Sequence, residues 1–159
     1  MLDVSFKDTA SGSVPPTHVF ALSTPSQPRA YKLFLIHALP FAAHCTNLPL
    51  FPPSQTQDGI PSSGRAKLPV IPLCVPHIDT FSLLQSYIYK HDIDGLKLAL
   101  KAPQADAQGT VEGKAMVKHA LFLLGLHKTA CAFGFVDFDF YKALEEAWGR
   151  VVRFAATSN

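Results

Sequence analysis

The order of patterns along the chain predicts an α+β fold, a small mixed sheet of about 3–5 short strands covered by a cluster of helices, with a helical C-terminal half. Three observations carry this. Strand-like stretches lie early, at residues 2–6, 18–22, 30–37 and 70–75. From Phe81 onward apolar residues recur at helical spacing. Between these regions Pro, Gly and Ser break the chain into loops. The 159 residues read as one domain, 1–159, with long loops near 8–17, 48–67 and 102–113.

In chain order, Leu2-Asp3-Val4-Ser5-Phe6 alternates apolar and polar residues, as a half-buried strand does. His18 to Leu22 gives a second strand, ended by Ser23-Thr24-Pro25-Ser26-Gln27-Pro28. Residues 30–37 turn continuously apolar at Leu33-Phe34-Leu35-Ile36, which predicts a third, more buried strand. Pro40 suits the first turn of a short helix through Phe41 and Cys45, where its missing N–H is not needed. Residues 49–63 hold four prolines and Gly59, which excludes a helix or a central strand there. Val70 to Val75 is a strand that Pro72 confines to a sheet edge.

Asp79 or Thr80 is placed to cap a helix whose apolar face is Phe81, Leu84 and Ile88, with Leu83 and Tyr87 beside it. His91-Asp92-Ile93-Asp94-Gly95 reads as a turn, and residues 96–101 as a short helix. Residues 114–132 form the strongest helical pattern, in which Gly125 permits close packing or a break. Asp137 or Asp139 caps a last helix with Tyr141, Leu144, Trp148, Val151 and Ala155 on one face. Glu146 and Arg150 stand i, i+4 in the favourable order.

Hydrophobic residues make up 48% of the chain and charged residues 16%, which points to a large apolar core or an apolar partner surface. The net charge of +2 comes from 14 basic and 12 acidic residues with no basic block, so no direct nucleic-acid binding is expected. No N-terminal leader pattern and no 18-residue apolar run is present, so no membrane association is expected. Three scattered cysteines argue against a disulfide framework and for a reducing, intracellular compartment, nuclear or cytoplasmic.

Candidate chemistry is sparse. His44, Cys45, Cys74 and His77 are of zinc-ligand type, but adjacent His44 and Cys45 do not easily face one ion, and a structural role is the simpler reading. His127 and Cys131 share a helical face, among leucines that favour a core position. Asp92 and Asp94 beside Gly95 fit a solvated turn better than an acid–base pair. Ser11-Gly12-Ser13 and Ser62-Ser63-Gly64-Arg65 lack the strand-to-helix context of a phosphate loop. Neither catalytic residues nor a cofactor nor a metal is expected. Phe133, Phe135, Phe138 and Phe140 concentrate aromatic surface in eight residues and are the candidate interaction residues.

Several stretches resemble the BTB/POZ domain: Leu2-Asp3-Val4-Ser5-Phe6, the strand-to-helix segment Phe34 to Cys45, and above all Phe81-x-x-Leu84 followed by Tyr87-Ile88-Tyr89. A second, narrower resemblance is to the clampless family of basidiomycete fungi. It rests on Ala42-Ala43-His44-Cys45-Thr46-Asn47-Leu48-Pro49, the Pro-rich loop after it, and Leu68-Pro69-Val70-Ile71-Pro72-Leu73. Together they imply a BTB/POZ-like, non-catalytic protein–protein interaction module, a regulator of sexual development and clamp-cell formation. The implied partners are proteins such as transcriptional or developmental regulators, with a homodimer left open. The alternative is a small Cys/His metal-binding protein or enzyme.

Overall fold

The computed structural model describes residues 1–5, 14–56, 65–103 and 113–157. Phe6, Gly59, the two Ser/Gly stretches and the interiors of the three loops lie outside the described residues. Its centre is β2 (His18–Thr24), whose first six residues are all buried. A tight turn at Pro25 and Ser26 returns the chain into β3 (Gln27–Ile36), antiparallel to β2 from His18↔Ile36 to Leu22↔Lys32. The Thr24 hydroxyl accepts the Gln27 N–H at 3.2 Å and closes the turn. β5 (Val70–Cys74) runs parallel to β2 on its other side, giving the order β3-β2-β5. β1 (Leu2–Ser5) pairs antiparallel with β4 (Arg65–Leu68) in a separate two-stranded sheet.

Alternation along β2 gives its two faces different neighbours. Phe20 and Leu22, with Ile71 of β5, enter the main core. Val19, beside Val70, packs instead with Ala66, Leu68, Leu2 and Val4, so the small β1–β4 sheet covers that end of the opposite face. His18 is fully buried; its Nε2–H donates to the Pro52 carbonyl at 2.7 Å and ties the Pro-rich segment to the sheet.

The five strands and helical second half agree with the sequence reading, and β5 is an edge strand as Pro72 requires. Three expectations are corrected. The apolar run of β3 is not buried: Leu33 is 52% exposed and Leu35 47%, and only Ile36 is fully covered. The physical reason is position. β3 is also an edge, helices cover one face only, and β2 takes the central place. The strand does not break at Ser23 and Thr24; both belong to β2. Residues 65–67, expected in a loop, belong to β4, where the alternating Arg65-Ala66-Lys67-Leu68 buries Ala66 and Leu68.

The helices cover the core face. α1 (Ala38–His44) carries Pro40 in its first turn. A 3-10 turn (Ile78–Thr80) leads into α2 (Phe81–Lys90), which buries Phe81, Leu84, Tyr87 and Ile88. α3 (Ile93–Ala99), α4 (Gly113–Phe133) and α5 (Phe138–Thr157) complete the cover. Phe20, Phe41, Phe81 and Phe133, from β2, α1, α2 and α4, meet with ring centroids 5.1–6.3 Å apart. Each fully buried side chain of this size is worth about 1.5–3 kcal/mol, so these four rings hold the sheet to three helices.

Local details differ where tertiary contacts override a local preference. Thr80 does not cap α2; its hydroxyl donates back to the His77 carbonyl at 2.9 Å, and Thr129 of α4 donates to the same oxygen at 3.0 Å. Asp92 caps α3 by accepting the Gly95 N–H at 2.9 Å, so Ile93 to Gly95 are helix rather than turn. α5 buries Phe140, Ala143, Leu144 and Ala147, a face rotated from the expected one, and leaves Trp148 partly exposed. Glu146 stands 3.9 Å from Lys97, while Arg150 donates to the Leu100 carbonyl at 3.0 Å. Gly125 does permit close packing: a Cβ there would lie 2.9 Å from the His77 ring. Among the described residues no helix is long and apolar enough to cross a membrane.

Candidate functional site

The four candidate phenylalanines separate in the structure. Phe133, Phe135 and Phe140 are core residues. Only Phe138, 80% exposed at the first position of α5, faces solvent. Their clustering in sequence reflects the bend between α4 and α5, which sends three of the four rings inward. Gly134 at φ 62° makes that bend.

The Cys/His candidates do not assemble. Cys45 is buried and its thiol is pushed up to about 12 by desolvation, which makes it a packing group rather than a nucleophile. Cys74 and His77 are exposed. Among the described residues no group of three or more His, Cys, Asp or Glu side chains could hold a metal ion. His127 and Cys131 do meet, with Sγ 3.8 Å from Nε2, but both are exposed, contrary to the core expectation. His127, but not Cys131, lines a cleft of about 500 Å³ between α4 and α5, together with Leu124, Tyr141, Glu145 and Trp148. Glu145 is the one carboxylate in the cleft lining, and the rest of that lining is mainly apolar or aromatic.

A polar cluster that the sequence did not reveal joins three helix ends. His44 closes α1, and His91 follows α2 in the left-handed conformation at φ 46°. Their Nε2 atoms are 3.2 Å apart. His91 Nδ1 lies 3.6 Å from Oδ2 of Asp137. The other carboxylate oxygen of Asp137 accepts the Phe140 N–H at 2.8 Å, capping α5, and the Tyr87 hydroxyl at 3.1 Å. Desolvation, then the Asp137 hydrogen bond and the Asp137 and Asp139 charges, push the Tyr87 phenol up to about 12. The residues meet because segments 44–47 and 133–136 pair: Val136 N–H donates to His44 O, and Cys45 bridges Phe135. The cap at Asp137 was legible; its histidine neighbours, 47 residues apart in sequence, gave no local signal.

A strongly apolar open groove of about 700 Å³ lies at the start of α1. Val14, Leu39, Pro40, Ala42, Phe51 and Tyr89 line it, and Leu39 is 79% exposed. His37 fixes its wall: its Nε2–H donates to the Val14 carbonyl at 3.0 Å, and its backbone N–H to the Tyr89 hydroxyl at 2.9 Å. Here Tyr89 of the Tyr-x-Tyr stretch acquires a role, joining α2 to the strand-to-helix corner. With few polar groups in its lining, the groove can exclude water around an apolar side chain but offers little for bond-making chemistry.

No curated protein and no solved structure shows a significant match to the chain. Residues 1–76, a segment containing the five strands of the described residues and α1, match the family model described as the Clampless protein 1 N-terminal domain, so the first part of this chain is similar to that domain.

Proposed function

We propose that the chain is a non-catalytic protein-interaction module of the clampless type, acting in fungal sexual development at the stage of clamp-cell formation. The observation that carries the docking part is the groove at α1, whose apolar side chains Val14 and Leu39 are held open to solvent by a braced wall. The similarity of residues 1–76 to the Clampless protein 1 N-terminal domain supports the developmental setting. The partner is a protein that inserts apolar side chains into the groove, and nucleus or cytoplasm is the proposed compartment. The BTB/POZ-like reading rests on the strand–helix order, on Phe81 and Leu84 in the core between sheet and helices, and on Tyr89, which ties α2 to the strand-to-helix corner.

The test is affinity capture from mating fungal cells with the whole chain as bait. Partners held through the groove are lost with Leu39→Asp and retained with Leu98→Asp, another exposed leucine, on α3 outside the groove. Capture insensitive to Leu39→Asp and Val14→Asp refutes the groove. Normal clamp cells after deletion of the gene refute the developmental role.

A further inference from the structure

We propose that His44 and His91 form a two-imidazole site for a borderline divalent cation of the zinc, copper(II) or nickel(II) class, with Asp137 orienting His91 behind it. The two Nε2 atoms face each other at 3.2 Å. Two nitrogens bound at the usual 2.0–2.1 Å to one tetrahedral ion lie about 3.3–3.4 Å apart, so the spacing already matches, and the rings, 4.6 Å between centroids and tilted by 54°, need only turn to aim both lone pairs at one ion. Imidazole nitrogen is the donor that these cations share.

The surroundings fit the same chemistry. The second ring nitrogen of His91 points to the Asp137 carboxylate at 3.6 Å. A carboxylate on that side favours the tautomer with hydrogen on Nδ1, which leaves the Nε2 lone pair free for a cation. Asp137 is itself held by the Phe140 N–H and the Tyr87 hydroxyl, so the orienting group is rigid. The His91 side chain is 43% exposed, which leaves solvent access for water to complete the coordination. With two protein ligands the site is a weak, exchangeable one, and its occupancy clamps the C-terminal ends of α1 and α2 together.

The test is calorimetric titration of the whole chelator-stripped chain with Zn²⁺, and electron paramagnetic resonance with Cu²⁺. One saturable equivalent is expected, with imidazole nitrogen in the copper spectrum. His44→Gln and His91→Asn each abolish it; Asn tolerates the left-handed backbone at 91. Asp137→Asn keeps the helix cap and weakens binding about tenfold. Acidification to pH 5 releases the ion, because a ligating imidazole has to be unprotonated. Circular dichroism of each variant separates ligand loss from misfolding. His127→Gln leaves binding unchanged. Absence of saturable binding, or binding that survives both His44→Gln and His91→Asn, overturns the site; so does loss of binding with His127→Gln alone. An imidazole pair that merely shares a hydrogen bond gives the first of these results.

Discussion

The Tyr87 hydroxyl donates to the Asp137 carboxylate across 3.1 Å, joining the middle of α2 to the cap of α5. Asp137→Ala removes the cap and strands a buried phenol, at a cost of roughly 2–3 kcal/mol. Asp137→Asn still caps and is expected to lose less than about 1 kcal/mol. Urea denaturation of the two variants checks the order.

Phe138 and Phe140 are two residues apart and opposite in burial, 80% exposed against 0%. Phe140→Ala is expected to destabilise by about 3–5 kcal/mol, and Phe138→Ala to stay within about 0.5 kcal/mol. Thermal melts of the pair report this directly. Equal losses would place Phe138 in the core.

Gly134 adopts φ 62°, and a Cβ there would run into the Thr46 hydroxyl and the Asn47 backbone. Gly134→Ala combines left-handed strain with that collision and is expected to cost at least about 2 kcal/mol. Amide exchange should show Val136 and Thr46 losing protection first, because their hydrogen bonds join the two segments.

Three acidic groups set an alkaline limit. Desolvation raises the Cys45 thiol from 9.0 to about 12. It raises the Tyr87 and Tyr141 phenols from 10.0 to about 12, with Asp137 adding at Tyr87 and Cys131 at Tyr141. Between those values the folded chain holds protons that the unfolded chain has released, so stability falls as pH rises. The urea midpoint is therefore expected to drop through pH 9–12, the interval between these ordinary and raised values. The tyrosine absorbance at high pH should show a late component that Tyr87→Phe and Tyr141→Phe each reduce. A thiol reagent should modify exposed Cys74 and Cys131 at once and Cys45 only on unfolding.

What was legible in the sequence was local. Pro72 placed β5 at an edge, Asp137 capped α5, and the period of Phe81, Leu84 and Ile88 gave the buried face of α2. What was not legible depended on distant neighbours. Leu33 and Leu35 read as buried because their side chains are apolar, yet the sheet leaves their face open. The phase of α5 is set by α3 and α4, so Ala143 and Ala147 displaced Trp148 and Val151 from the buried face. The groove and the histidine pair each join positions about fifty residues apart, 37 with 89 and 44 with 91, where no spacing rule operates.

The similarity to a known family stops at residue 76, between the last strand and the 3-10 turn. Cut there, the polypeptide would be a tabletop without its load. Phe20, Leu22 and Ile36 would face water, since most of the rings and aliphatic groups above them, from Phe81 to Ala147, come from the later part of the chain. The strands and the helices after them are thus obligate companions. A fragment ending at 76 should precipitate or borrow a roof from elsewhere, and adding residues 77–157 as a separate polypeptide should restore a soluble complex.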